Sequence, residues 1–250
     1  PLQAQGLYRP EFERDSCGFG LIAQMDNQPS HWLVQTSINA LARLTHRGAV
    51  AADGKSGDGC GLLMRKPDAF LRRVAGEAGM SLGAQYGVGM VFLNHDPALA
   101  AAARADLQTA LEKEGLKVAG WRLVPVNADA CGDESRKTLP RIEQLFVTPL
   151  AEIADDAFER HLFVARRSAN NRIRRRDPVY YVLSLSARVI SYKGLVMPAH
   201  LPVFYPDLND PELESSICLF HQRFSTNTLP QWWLAQPFRY LAHNGEINTI

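Results

Sequence analysis

The chain has 250 residues, enough for one large domain or two small ones and for a real buried core. Hydrophobic residues make up 46% and charged residues 21%, near the globular average, which excludes disorder over most of the chain. The 27 Lys and Arg against 26 Asp and Glu leave a formal net charge of +1, without the basic excess of a dedicated duplex nucleic-acid binder. No apolar run approaches the roughly 20 residues of a membrane span, and PLQAQGLYRPEFERD has no apolar signal core. A soluble, cytoplasmic protein with no nucleic-acid and no membrane partner is expected.

Residues 1–16 are polar and read as an extended lead-in. The pattern changes at Cys17, where CGFGLIAQM reads as a buried strand. Pro29 and Ser30 open a helix, with Ser30 as N-cap and Leu33 or Val34, Ile38, Leu41 and Leu44 at helical spacing; Gly48 stands where it would stop. AADGKSGDGCG (51–61) is rich in glycine, which permits positive φ and close backbone approach. GLLMR (61–65) reads as a strand, and a helix from about Ala69 to Ala78 follows Pro67. Gln85 to Leu93 is strand-like. Asp96 and Pro97 open a helix running to Gly115, and Lys117 to Val126 is strand-like again. NADACGDESRKT (127–138) reads as a polar loop. Asp155 or Asp156 opens a helix that ends in the basic run RIRRR (172–176), and strands follow near 179–187 and 188–197. Pro198, Pro202, Pro206 and Pro211 mark a long irregular crossing before strand character resumes from Ile217 to Phe224. Strands and helices mixed without strict alternation argue for an α+β or α/β fold.

Cysteines stand at 17, 60, 131 and 218 with no metal-ligand or Cys-x-x-Cys spacing, so four separate thiols and no metal are expected. The run Arg172 to Arg176 has no aromatic interleaving and reads as a solvated helix end. AVAADGKS (49–56) is close to a phosphate-binding loop but begins with Ala49 and follows a helix rather than a strand, so that reading fails. HNG (243–245) is a turn signal, and an Asn side chain beside a Gly amide is also a pair of donors for a developing oxyanion. Arg223 ends an apolar strand and calls for a partner, either an internal acid or a substrate carboxylate. Cys17, beside Gly18, reads alone as a buried structural thiol. Were residues 1–16 removed, it would carry a free α-amine of unperturbed pKa about 7.7–8.0 beside a thiol of about 8.5, and so its own base.

CGFGLIA (17–23), ALARLTHRGAVAADGKSGDGCG (40–61), HQRFSTNT (221–228) and LAHNGEINT (241–249) stand in this order. Together they resemble the glutamine amidotransferase domain of glutamate synthase large chains, a class II amidotransferase with an N-terminal-nucleophile hydrolase fold. PRIEQLFV (140–147) and YYVLSLSARVISYKGLV (180–196) look like the same domain. The resemblance implies an α+β, αββα sandwich with stacked, mostly antiparallel sheets. It makes residues 1–16 a propeptide and 17–250 an incomplete domain, with the C-terminal part absent.

By that resemblance Cys17 matches the nucleophile that forms a γ-glutamyl thioester with L-glutamine and releases ammonia. Asn244 and the Gly245 amide match the oxyanion hole. Arg223 matches the arginine that holds the substrate carboxylate, Thr226 a hydroxyl contact in the same turn, and Phe224 a wall of the pocket. His46, Arg47 and Gly48 look like supporting residues without a chemical step. The family's aspartate for the substrate amino group falls beyond Ile250, and a chain that retains residues 1–16 is expected to be a zymogen. No cofactor is expected in this chain. The full-length enzyme implied by the resemblance carries FMN and an iron–sulfur cluster, passes ammonia to 2-oxoglutarate, and works with its remaining synthase domains and a small electron-transfer subunit or ferredoxin. The alternatives are a catalytically silent fragment or interaction domain, and another class II amidotransferase with a different acceptor.

Overall fold

The computed structural model describes residues 18–222 and 229–238. They form an α+β fold with two antiparallel four-stranded sheets, the class expected from the sequence. The first sheet contains β1 (Phe19–Ala23), β2 (Cys60–Arg65), β7 (Val189–Gly194) and β8 (Ile217–Gln222), in the order β1-β8-β2-β7. The second contains β3 (Gly87–Leu93), β4 (Leu116–Leu123), β5 (Arg141–Pro149) and β6 (Tyr181–Ser186), in the order β4-β5-β3-β6. With α3 (Pro97–Lys113) after β3 and α5 (Asp155–Ile173) after β5, the second sheet traces the split βαββαβ topology.

The helices start where local chemistry starts them. Ser30 Oγ accepts the Leu33 N–H at 3.3 Å and caps α1 (His31–Arg43). Asp96 Oδ1 accepts the Ala98 and Leu99 N–H groups at 2.8 and 3.2 Å and caps α3. Pro67 precedes α2 (Asp68–Glu77), which carries Phe70, Leu71, Val74 and Ala75 into the core. One hydrophobic cluster joins α1, α2 and residues of both sheets, among them Leu62, Met64, Tyr192, Val88, Phe92 and Phe146. A second cluster lies under α3 and α5, against Val91, Leu93, Leu145 and Val147 of the second sheet. A buried polar network crosses between the sheets. Arg122 on β4 pairs with both carboxylate oxygens of Asp207 at 2.8 Å, Tyr192 on β7 donates to Asp207 at 3.2 Å, and Gln144 on β5 bonds both Arg122 and Tyr192. Bidentate geometry and full pairing are the conditions under which a buried ion pair is tolerated.

Three expectations need correction, and one strand was not anticipated. β1 forms, but it is not buried. It pairs with β8 at the sheet edge, no residue in it is fully buried, and Leu21 is 59% exposed. Residues 127–138 are not a loop. They make a 3-10 turn at Ala128–Ala130 and the short helix α4 (Asp133–Lys137), with Asn127 capping the turn. The proline-marked crossing is likewise helical, with turns at Pro198–His200 and Pro206–Asn209 flanking α6 (Leu201–Phe204), because proline suits the first turn of a helix. Finally β5, a central strand of the second sheet, carried no prediction.

Candidate functional site

The ends of β1 and β8 meet the turn that follows α1. Gly18 precedes β1, and its carbonyl accepts the N–H of Gln222 at 2.6 Å. A Cβ on Gly18 would lie 2.4 Å from the carbonyl oxygen of Gln222 and 3.9 Å from Arg47 Cβ. Across the same corner runs the 3-10 turn Thr45–Arg47, closed by Gly48. A Cβ on Gly48 would meet Gln222 Nε2 at 2.2 Å, and that amide donates to the Thr45 carbonyl at 3.2 Å. Glycine at 18 and 48 therefore lets two strands and a turn close to a distance that side chains would forbid. Gln222 also faces Cys60 of β2, which in turn faces Gly194 of β7, so the corner continues across the sheet.

The glycine-rich segment forms the next wall. Val50 and Gly57 bridge, and Ala51 N–H donates to the Ser56 carbonyl at 2.8 Å, making a short hairpin. Gly59, at φ +92, turns the chain into β2 in a backbone region that only glycine enters easily. Asp53 organises the segment. Its carboxylate accepts from Lys55 N–H at 2.9 Å, from Ser56 N–H at 2.7 Å, from Ser56 Oγ at 2.6 Å and from Glu134 N–H at 3.2 Å. These bonds, the Ser56 hydroxyl first, hold its pKa well below the usual carboxylate range. They also explain why no phosphate cradle exists here: the loop amides already bind a carboxylate, and Lys55 Nζ donates to the Asp129 carbonyl. A cavity of about 460 Å³ opens between this segment, Glu134, Ser135 and Thr138 of the α4 region, and Leu195, Leu229 and Pro230.

Three thiols are described and none is poised to react. Cys60, Cys131 and Cys218 are buried, and burial pushes each pKa upward, that of Cys218 up to about 12. The reactive form of a cysteine is the thiolate, so all three are unreactive at neutral pH. Among the described residues no group of three or more His, Cys, Asp or Glu could hold a metal ion. No helix of the described residues is long and apolar enough to cross a membrane. The basic run is a helix end, as expected: Arg172 and Arg176 pair with Asp106, and the Arg174 guanidinium lies 4.1 Å over the Trp233 ring.

Of the residues singled out from sequence, Arg47 and Gly48 stand at this corner. His46 is exposed, with Nδ1 bonded to the Arg43 carbonyl at 3.1 Å at the end of α1. Cys17, Arg223, Phe224, Thr226, Asn244 and Gly245 lie outside the described residues. Cys17 and Arg223 are, however, the chain neighbours of Gly18 and Gln222, which pair across β1 and β8. Sequence reasoning missed Gln222, Asp53 and Lys193. Lys193 on β7 is fully buried, donates to the Trp233 carbonyl at 3.2 Å and lies 4.2 Å over the Phe238 ring; burial holds its pKa well below the usual lysine range. Gln222 and Asp53 sit inside the motifs already quoted, and only packing separates them from their neighbours.

The model of the family described as glutamine amidotransferases class-II matches residues 17–250. The chain is 42% identical over 249 residues to a glutamate synthase (NADPH) large chain of Bacillus subtilis, covering 99% of this chain and 16% of that protein. It is 42% identical over 254 residues to the corresponding large chain of Azospirillum brasilense, covering 100% of this chain and 17% of the relative. It is also 42% identical over 240 residues to a ferredoxin-dependent glutamate synthase 2 of Synechocystis, covering 95% and 15%. The chain thus spans a small part of the length of these relatives.

Proposed function

Because this chain belongs to the class-II glutamine amidotransferases, we propose that it hydrolyses L-glutamine to glutamate and ammonia through Cys17. Residues 1–16 are the propeptide, and their removal frees the α-amine that serves as base. The Cys17 thiol gives its proton to that amine, and the sulfur adds to the side-chain amide carbon. The tetrahedral oxyanion is held by the Asn244 amide and the Gly245 N–H. Collapse expels ammonia, which takes up the proton, and leaves a γ-glutamyl thioester. Water then attacks the thioester, the thiol leaves, and glutamate is released. Arg223 holds the substrate carboxylate by paired hydrogen bonds, with Thr226 and Phe224 shaping the same turn.

The observation that carries this reading is the 2.6 Å bond between Gln222 and Gly18. It makes the residues next to Arg223 and Cys17 partners across two strands. The protonated state of the three described thiols supports it as well, since none of them competes as nucleophile. In the longer protein to which the relatives' lengths point, the ammonia goes to 2-oxoglutarate. The remaining synthase domains supply FMN and the iron–sulfur cluster, and a small electron-transfer subunit or ferredoxin supplies electrons. No step in this chain is routed through those groups.

The test is glutamine hydrolysis by the full-length protein and its variants. Cys17→Ala is expected to reduce turnover to background, and retained turnover would overturn the assignment. Asn244→Ala is expected to cost about 10²–10³ in rate. Arg223→Ala is expected chiefly to raise KM, and an unchanged KM would count against a carboxylate contact.

A further inference from the structure

Gln222 closes β8 and is 3% exposed. Its Nε2 donates to the Thr45 carbonyl at 3.2 Å, which fixes the orientation of the amide. A carbonyl only accepts, so flipping the amide would set two acceptors face to face. Oε1 is thereby left buried and, among the described residues, without a hydrogen-bond partner. The rest of the residue is held tightly: its N–H donates to the Gly18 carbonyl at 2.6 Å, and Gly48 packs so close to the amide that a Cβ there would lie 2.2 Å away. Native folds pair nearly all buried polar atoms, and an orphan calls for an explanation. This orphan stands at the residue bonded across the sheet to Gly18, itself the chain neighbour of Cys17.

We infer that Gln222 Oε1 is the acceptor for an amine at the ends of β1 and β8. The amine is either the α-amino group of Cys17 or the ammonia released from glutamine. The inference rests on the cysteine mechanism proposed above. An amine carries N–H groups in both protonation states, so it satisfies the oxygen throughout a catalytic cycle in which the base gains and loses a proton. A neutral amide is also the suitable acceptor. A carboxylate at this position would hold the amine as ammonium and deprive the thiol of its base. Gln222 is a positioning residue: it orients the base and does not itself take up a proton. The titratable or charged groups on its own strand and on the described elements packed around it are Cys218 and His221 on β8, Cys60 opposite it and Arg65 at the far end of β2, and His46 and Arg47 on the turn after α1. Cys60 is protonated at neutral pH and His46 is turned to the Arg43 carbonyl.

The experiment uses the full-length protein with residues 1–16 removed at an engineered protease site, alongside Gln222→Met and Gln222→Glu. Competitive acylation of the α-amine across pH, read by mass spectrometry of the N-terminal peptide, gives the amine pKa without any need for turnover. Gln222→Met is expected to lower that pKa and Gln222→Glu to raise it by about one unit or more. In Gln222→Met, kcat is expected to fall about 10–100-fold with KM changed less than about twofold, as for loss of orientation of a general base. A purely structural role would not move the amine pKa in opposite directions in the two variants. If the amine pKa holds in both variants but inhibition by added ammonium weakens severalfold, ammonia is the amine that Gln222 binds. If neither responds, the inference is overturned. Failure of the glutaminase reading shows separately, as absent turnover in the cleaved wild type. Should Gln222→Glu not fold, the Met variant alone decides.

Discussion

β3 is buried along its whole length from Gly87 to Leu93, with one hydrophobic cluster on each face, whereas no residue of β1 is fully buried. The difference is one of purpose within a single chain. The second sheet is filled: Phe92, Leu145, Phe146 and Val147 occupy both of its faces, and its buried Glu143 is bonded by Arg104 at 2.9 Å. The corner of the first sheet where β1 and β8 end gives up side-chain volume instead. Gly18 and Gly48 bring backbone and the Gln222 amide to separations that a methyl group would not survive, and Gly20 lies so close under the Phe220 ring that a Cβ would fall 2.3 Å from it. A region that sustains the fold is filled by large side chains, and the corner where β1 and β8 end is glycine-lined, leaving its room to backbone.

The sharpest way to break the comparison is to empty the dense side. Phe146→Ala removes a fully buried ring from the core shared by both sheets. It is expected to cost about 3–5 kcal/mol, read from the denaturation midpoint. Because the ring belongs to β5 of the second sheet and not to β1 or β8, the protein that remains folded should keep its KM for glutamine. A large KM change with little loss of stability would mean that the two regions are not separate in the way their packing suggests.

The open side should respond in the opposite sense. Gly18→Ala sets a methyl 2.4 Å from a backbone carbonyl oxygen, which cannot rotate away as a side chain could. The expected loss of stability is smaller, about 1–3 kcal/mol, as for other overpacking changes. Glutamine turnover is expected to fall at least about tenfold, since misplacement by an ångström is enough to cost far more than that. Gly48→Ala presses only on the end of the Gln222 side chain and is expected to do less to stability and to act through that amide.

Much of this contrast was legible in the sequence, but not evenly. Helix starts were legible because the signal is local: Ser30 and Asp96 cap α1 and α3 as read. The successive strands β6 and β7 were legible from their apolar runs, though not the fact that they enter different sheets, since pairing is a property of the whole chain. β5 was missed because Glu143 and Gln144 interrupt its apolar pattern. Those two side chains are buried because Arg104, Arg122 and Tyr192 come from other elements, and Arg141 from the start of β5 itself, to pair with them. Residues 127–138 match a loop in their polar composition. Their helical turns are held from a distance, by Asp53 at the Glu134 N–H and by the Trp232 indole donating to the Ser135 carbonyl at 3.0 Å. At the candidate site, the glycines at 18 and 48 were visible but not their reason, which is Gln222, its backbone carbonyl against Gly18 and its side-chain amide against Gly48. An amide lying beside a prominent arginine in HQRFSTNT carries no periodicity and no motif of its own.

The smallest expected effect sharpens the comparison by separating stability from function on the open side itself. α1 packs against β1 and β8, so weakening its start loosens the first sheet without touching the corner at Gly18, Gly48 and Gln222. Ser30→Ala removes the hydroxyl that accepts the Leu33 N–H. The backbone of residue 30 is held independently, donating to the Ser215 carbonyl at 3.1 Å and accepting from the Ser215 N–H at 3.3 Å, so the helix keeps its entry angle. The expected cost is about 1 kcal/mol, the usual value of an N-cap side chain. Turnover and KM should stay within about twofold of wild type. If Ser30→Ala instead lowered turnover as much as Gly18→Ala, activity would follow the stability of the first sheet. The glycine-lined corner would then owe its sensitivity to folding rather than to the close approach of its backbone.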